Sequence, residues 1–417
     1  MIKGSKKHQS FFKFGWSGLF ILFVFSLTQF NFSVYSQIIP SVRLLFNISI
    51  HQAGLTLTYC FIGYMVGQLF WGTISDFFNR KVLIICSLIL FIAFNIIEIF
   101  TINYIVFLIF YILMGFMVAC YTSVGNALVK DIYKKKEYYN FMAWIGIAMA
   151  AGPAIGPVLG SIAYNIFSGK VFGAFIVIGL LGIIVLLGFY PLVYLKYKKK
   201  YNKIEKKYVQ ENNTKNSTTY LGIITNINFI VYTISLGATF GTLISYLSIG
   251  PFIFINNFGI DKSIYGYIFF VSTIFYLFGA IFYKFLIRSS SPQAIFLFCS
   301  VISTIASFIW LILIISSNNV HCVVSIILLS CYFFGIGGCV PAGKSSSMTV
   351  FNTKFGFTAS MMKFIQSGFG VLVSGISNIF DLKSSLIPIA GIYLICSGAP
   401  LLLMLIVKIK RNYTISI

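Results

Sequence analysis

Eight acidic side chains are spread over 417 residues, and where they stand bounds the chemistry open to the chain. Asp76 lies in the stretch Gly67-Gln68-Leu69-Phe70-Trp71-Gly72-Thr73-Ile74-Ser75-Asp76-Phe77-Phe78-Asn79-Arg80-Lys81, which joins two long apolar runs. Gly67 and Gly72 permit close helix contact, as small residues do between membrane helices. Asp76 can accept backbone N–H groups or a neighbouring cation, while Arg80 and Lys81 suit the cytoplasmic headgroup zone. A plain basic turn between two membrane helices would use the same residue types. Asp131, beside Lys130 and close to Lys134, Lys135 and Lys136, closes another apolar run. Glu98 is the one acid inside such a run, near its outer end. An acid there marks a candidate functional site. It could load and release a proton, or it could reach the outer headgroups. Glu137, Glu205, Glu211, Asp261 and Asp381 sit in loops or at helix ends. Lys363, three residues before Gln366, could bind an anion or run its stem to the inner surface.

The elements that must position these groups are membrane helices. The chain is 59% hydrophobic and only 9% charged, against roughly 25% charged in a soluble domain. Apolar runs of about 20 residues recur from end to end, each long enough to cross a bilayer. The ~10-residue alternation of a β-barrel is absent. The first run is too long for a removable signal peptide and continues into the protein. Twelve spans are predicted, at 15–38, 51–72, 82–101, 104–128, 141–164, 171–194, 221–248, 264–287, 293–316, 321–342, 357–380 and 386–407. A polar segment rich in Lys, Asn, Tyr and Thr divides them six and six. The expected organisation is a bundle at 1–195, a cytoplasmic linker at 196–220 and a second bundle at 221–417.

Charge sets the orientation. With both termini inside, only Arg43, Lys170, Lys262 and Lys383 of the 30 Lys and Arg fall in outer segments, and Lys363 falls within a span. The net charge of +22 therefore belongs to cytoplasmic loops beside a lipid bilayer, and no nucleic-acid partner is expected. The cysteines (60, 86, 120, 299, 322, 331, 339, 396) form no C-x-x-C pair and read as helix-packing residues. His8, His51 and His321 are dispersed, no acid cluster lies at the midplane, and no G-x-x-x-x-G-K-[ST] loop is present. Neither an enzyme nor a metal or other cofactor is expected. Two related bundles around a midplane site instead suggest a transporter of a small-molecule substrate, working as a monomer.

One further motif stands in the fifth span. Ala148, Gly152, Gly156 and Gly160 recur every four residues and so share a face, on which another helix can approach closely. Pro153 and Pro157 remove backbone donors and bend the helix. A bent, smooth surface of this kind could seal and unseal against the opposite half, or serve plain packing.

Together these stretches resemble the major facilitator superfamily, and within it the twelve-span drug:proton antiporters of the bicyclomycin-resistance and chloramphenicol-efflux type. Gly67-Gln68-Leu69-x-Trp71-Gly72-x-x-Ser75-Asp76 resembles that branch's form of the loop-2/3 signature. Ala127-Leu128-Val129-Lys130-Asp131-Ile132-Tyr133 resembles its end of helix 4. Gly152-Pro153-Ala154-Ile155-Gly156-Pro157-Val158-Leu159-Gly160 resembles its helix-5 antiporter motif. Tyr246 to Phe258, with Gly250-Pro251, is a weaker match. The resemblance implies a major facilitator fold of two six-helix bundles. It also implies an inner-gate charge network of Asp76, Arg80, Lys81, Lys130 and Asp131, and export, with which the helix-5 motif is associated.

The chain departs from the branch where coupling is usually placed. Ser33 stands where helix 1 usually carries an acid, with Tyr35 and Pro40 matching the pattern and Gln37 replacing a proline. Tyr111 stands at the usual helix-4 Arg, and Met114 at the Gln. Losing acid and Arg together avoids a stranded buried charge. Coupling moved to Glu98 or Asp131, a facilitator running on the substrate's own gradient, and a substrate carrying the charge itself are three accounts of this. Polar residues inside spans give the candidate cavity: Asn31, Ser33, Tyr35, Gln37, Tyr111, Asn126, Asn228, Tyr246 and Gln366, with Tyr35 as the leading substrate contact. A mostly aromatic cavity with few polar groups suits neutral or lipophilic cationic compounds. The expected function is export of small amphipathic drugs or related compounds across the cell inner membrane, with protons as candidate counter-ions. The alternative is an importer or facilitator of a metabolite such as an amino acid, sugar phosphate or siderophore.

Overall fold

The computed structural model describes residues 15–75, 77–133, 135–168, 170–195, 225–287, 289–316, 321–348, 355–380 and 385–415. Asp76, Arg288 and the 196–220 segment fall outside them. The described residues form twelve long helices and no strand. They are α1 (Gly15–Phe46), α2 (Ile50–Ile74), α3 (Arg80–Phe100), α4 (Tyr104–Ile132), α5 (Lys135–Ile166) and α6 (Phe172–Phe189), then α7 (Ile227–Phe252), α8 (Lys262–Leu286), α9 (Pro292–Ser316), α10 (Cys322–Met348), α11 (Phe355–Ile379) and α12 (Ile387–Ile415). Short π-helical turns, Tyr190–Leu195 and Ile253–Asn257, extend α6 and α7.

Short polar side chains start these helices. Ser49 opens α2 with a capping box, its hydroxyl taking the Gln52 N–H while the Gln52 amide takes the Ser49 N–H. Asn79, Asn103 and Asn226 cap α3, α4 and α7 through their side-chain oxygens. Several helices outrun the predicted spans. α1 passes through Pro40 to Phe46, and α10 passes through Pro341 to Met348. Polar ends do not stop a helix that finds caps and neighbours.

The packing scheme repeats with an offset of six. α1 lies along α5, α2 along α4, and α3 against α4 and α6. Likewise α7 lies along α11, α8 along α10, and α9 against α10 and α12. Across the molecule, α5 packs on α8 and α2 on α11. Burial follows this plan: the apolar window of α7 is 94% buried and that of α1 78%, against 33% for α3 and for α9. The first pair is central, and the second presents side chains such as Ile89, Ile96, Ile305 and Ile312 outward, as lipid-facing helices must.

Eleven helices are long and apolar enough to cross a membrane among the described residues. The chain is a multi-pass membrane protein. The helix outside that set is α11. It buries Lys363, Gln366, Ser367, Ser374, Ser377 and Asn378; of these Ser374 meets α2, Ser377 meets α7 and Asn378 meets both.

Candidate transport path and gates

At the end of the first bundle where α2, α3 and α4 meet, Arg80 Nη1 donates to Asp131 Oδ2 at 2.6 Å. The side chains are 12% and 3% exposed. Arg80 also donates to the carbonyls of Ser75 (3.3 Å) and Ala127 (3.2 Å), so it ties α2, α3 and α4 together. The loop-2/3 stretch and the end of helix 4, separate in the sequence, thus form one charge-assisted knot. Asp76, the third expected member, lies outside the described residues. Lys130 is exposed. Lys81 is covered by protein instead of being open to headgroups as the sequence suggests. It is 1% exposed, and its ammonium lies 3.4 Å from the Tyr194 carbonyl and over the Tyr194 ring. The start of α3 is roofed by the end of α6, a long-range contact that local charge cannot signal.

The two bundles touch at both ends. At the end that carries Arg80 and Asp131, Gly72 of α2 leaves no room for a side chain against Ser360 of α11, and Lys284 of α8 sits 4.3 Å from the Trp144 ring centroid on α5. At the opposite end Ser248 of α7 donates to the Gly54 carbonyl of α2 at 2.7 Å, and Asn378 of α11 donates to Ser248 at 2.8 Å. Thr58 and Ser374 share a hydrogen bond of 2.8 Å, and His51 meets the Asn378 carbonyl. These hydroxyl and amide contacts between halves were missed in the sequence, where a Ser or Thr in an apolar run looks like any packing residue.

The glycines of α5 do not face the opposite bundle. Gly152 packs on Gln29, Gly156 on Ser33 and Gly160 on Gln37, all of α1. The expectation that they shape the moving surface is corrected: a four-residue stripe shows that a helix comes close, not which helix. Gly67 likewise packs within its own bundle, on Ala119 and Phe116 of α4. What α5 turns toward α8 is the backbone near its prolines. Thr273 donates to the Pro153 carbonyl at 2.9 Å, and Gly266 abuts the Pro157 carbonyl and Ser161.

The expected cavity residues divide. Tyr35 is fully buried inside the first bundle, its hydroxyl bonded to Thr56 at 2.7 Å and its ring 4.2 Å from Tyr111, so it is not placed to lead substrate contact. Tyr111 belongs to the same cluster, with Phe107 and Phe175. Ser33 spends its hydroxyl on the Gln29 carbonyl and faces α5, as does Gln37, which accepts from Ser161 at 3.3 Å. Asn228 is corrected too: it is exposed in the first turn of α7. Asn126 is half-buried. Asn31 is buried with neither amide atom hydrogen-bonded. Tyr246 stacks on Phe269 at 4.6 Å and lies 4.7 Å from Phe333, with its hydroxyl unbonded. Gln366 is 1% exposed and accepts from Lys363.

Glu98 does not reach the outer headgroups. It is 4% exposed, neither carboxyl oxygen has a hydrogen-bond partner, and it lies within electrostatic range of Tyr35, Cys60 and Tyr111. Lys363 does not snorkel: it is 6% exposed and bonded to Gln366. Among the described residues no cluster of His, Cys, Asp and Glu could hold a metal ion.

The fold and these contacts now meet independent comparison. The family model described as Major Facilitator Superfamily matches residues 21–377, and the chain belongs to that superfamily. It is 24% identical over 273 residues to an uncharacterized transporter of Rickettsia felis, covering 64% of each chain. It is 25% identical to a bicyclomycin resistance protein homolog of Haemophilus influenzae, covering 56% of this chain and 57% of that one. It matches under two thirds of the length of these relatives. A solved structure of the proton:xylose symporter XylE superposes with a TM-score of 0.75 at 14% identity, over 94% of each chain, which is a likeness of fold.

Proposed function

We propose that this superfamily member is an exporter of small amphipathic compounds, working by alternating access. The observation that carries the reading is the double seal. α2 against α7 and α11, and α5 against α8, join the bundles at both ends through single hydrogen bonds, a cation–π contact and small-residue packing, each cheap enough to break in turn. The Arg80–Asp131 knot would hold the inner end closed, with Asp76 beside it in sequence. Lys81 and Lys130 flank that end. Export is supported by the helix-5 motif and by relatives named for resistance, the Haemophilus homolog and a cycloheximide resistance protein of Candida maltosa, 31% identical over 136 residues. We place the protein in the cell inner membrane, with both termini and the 196–220 linker cytoplasmic, acting as a monomer of two bundles (1–195 and 221–417). No catalysis and no cofactor are part of this reading. Glu98 is the leading site for a coupled proton, since it alone among the candidates is a buried acid without a partner.

A second reading, carriage of a metabolite, draws on the missing helix-1 acid at Ser33 and on a citrate exporter of Aspergillus niger, 29% identical over 130 residues. The test is efflux from efflux-deficient cells expressing the chain or its Arg80→Gln variant, using fluorescent dyes of either charge, with and without a protonophore. Export predicts lower dye retention with the native chain than with the variant. Equal retention of every dye, with both proteins confirmed in the membrane, would refute drug export.

A further inference from the structure

Two lysines meet inside the second bundle with no acid to answer them. Lys363 stands one turn beyond Ser360, the α11 residue against which Gly72 closes the inner end. Lys344, half-buried on α10, lies within electrostatic range of the Lys363 ammonium, which is itself buried. Lys363 Nζ donates to Gln366 Oε1 at 3.0 Å. The other end of that amide, Nε2, is buried and has no hydrogen-bond partner. Gly343, next to Lys344, packs on Leu236 of α7; on the same turn Thr233 and Ser235 are buried with unbonded hydroxyls. Among the described residues no carboxylate pairs with either lysine. Asp131 is held by Arg80, and Glu98 lies with Tyr35 and Tyr111 in the other bundle.

Charge buried in a membrane protein is costly unless it is paired, and two like charges side by side are costlier still. A merely structural contact would be cheaper with apolar side chains. Here two ammonium groups and an unpartnered amide N–H₂ gather around one amide oxygen, Gln366 Oε1, with no carboxylate among them. An oxyanion supplies what is missing: negative charge and several lone pairs at one point. A cationic solute would be repelled from the same point. We infer that Lys344, Lys363 and Gln366 bind the transported solute through an oxyanion, a carboxylate or phosphate group. This rests on the transporter reading and names its substrate class. It also replaces the neutral or cationic solute suggested by the aromatic composition. Aromatic walls hold the body of an amphipathic compound, but the charged residues choose its sign.

The test uses the full chain reconstituted in phosphatidylcholine alone, with thermal unfolding as the readout. Citrate, inorganic phosphate and tetraphenylphosphonium are the probes, at matched ionic strength. Citrate or phosphate is expected to raise the midpoint saturably, and tetraphenylphosphonium to leave it unmoved. Lys344→Gln and Lys363→Gln should weaken apparent anion affinity by roughly tenfold or more, the scale of one lost charge-assisted contact. Lys363→Arg should keep most of it. No anion response in the native chain, or equal responses in native and Gln variants, overturns the inference. So does a response to added phosphatidylglycerol but to neither anion, which gives the site to a lipid headgroup. If the Gln variants do not fold, the native contrast between anions and tetraphenylphosphonium decides. Anion binding without export of any dye would remove the export reading and leave this one standing. Export of a cationic dye without anion binding would do the reverse.

Discussion

Thr273 of α8 donates its hydroxyl to the Pro153 carbonyl of α5 at 2.9 Å, and that carbonyl is the one Pro157 leaves without a helical donor. The same hydroxyl lies 2.8 Å from the Phe269 carbonyl, one turn back on its own helix. One hydrogen serves one acceptor well, so Thr273 can tie the halves together or fall back on α8 when they part. Thr273→Val keeps the shape and removes the choice. It should weaken the closed contact by about 1 kcal/mol, the net worth of a typical hydrogen bond. Spin labels on the outer ends of α5 and α8 would report a longer mean separation. An unchanged distance distribution would show that the bond does not hold the halves.

Arg80 and Asp131 allow a test by reciprocal change. Removing either partner takes the ion pair from a nearly buried charge, which costs up to about 3 kcal/mol for such pairs. Arg80→Gln and Asp131→Asn should each favour the inward-open form, read as faster thiol labelling of a cysteine placed at Ser360. Together they should cost less than the sum of the two, because the double variant strands no charge. Additive effects in that cycle would separate the ion pair from the gate.

Glu98 carries the proton hypothesis. Glu98→Gln preserves size and leaves an amide where a carboxyl stood. The variant should fold and bind solute while losing the response to an imposed pH gradient in proteoliposomes. An imposed membrane potential, set separately with potassium and valinomycin, is the control. Undiminished pH-driven transport in the variant would move coupling away from this residue.

The glycine stripe makes a prediction about stability instead of gating. A side chain at Gly156 would drive into Ser33, whereas one at Gly146 meets nothing within 4 Å. Gly156→Leu should cost at least the ~1–3 kcal/mol of overpacking and cut the yield of folded protein. Gly146→Leu should be near neutral. Comparable yields would mean that α1 and α5 separate more easily than their packing implies.

Much of the fold was legible, because a bilayer demands long apolar helices and the twelve runs announce themselves. The pairing of particular helices was not, since apolar runs do not say which of them are neighbours. At the site, Arg80 and Asp131 were found by their resemblance to known gate motifs, and the structure joins them. Tyr35, Lys81 and Asn228 were misjudged for one shared reason: a residue type does not tell which way a helix is turned or what lies above it. Thr273, Ser248 and Lys344 were overlooked because each becomes distinctive only once a second helix brings its partner.

The polarity of α11 bears on how the protein is made. A segment with Lys363, Gln366 and Asn378 along one side gains little from lipid alone, since each costs free energy in hydrocarbon. Its place in the bilayer leans on α7 and α2, which pack along it and cover Asn378, and both emerge earlier from the ribosome. Insertion of α11 is therefore expected to require α2 and α7 already in place. Damage to α2 or α7 would be felt first as failure of a helix synthesised long after them.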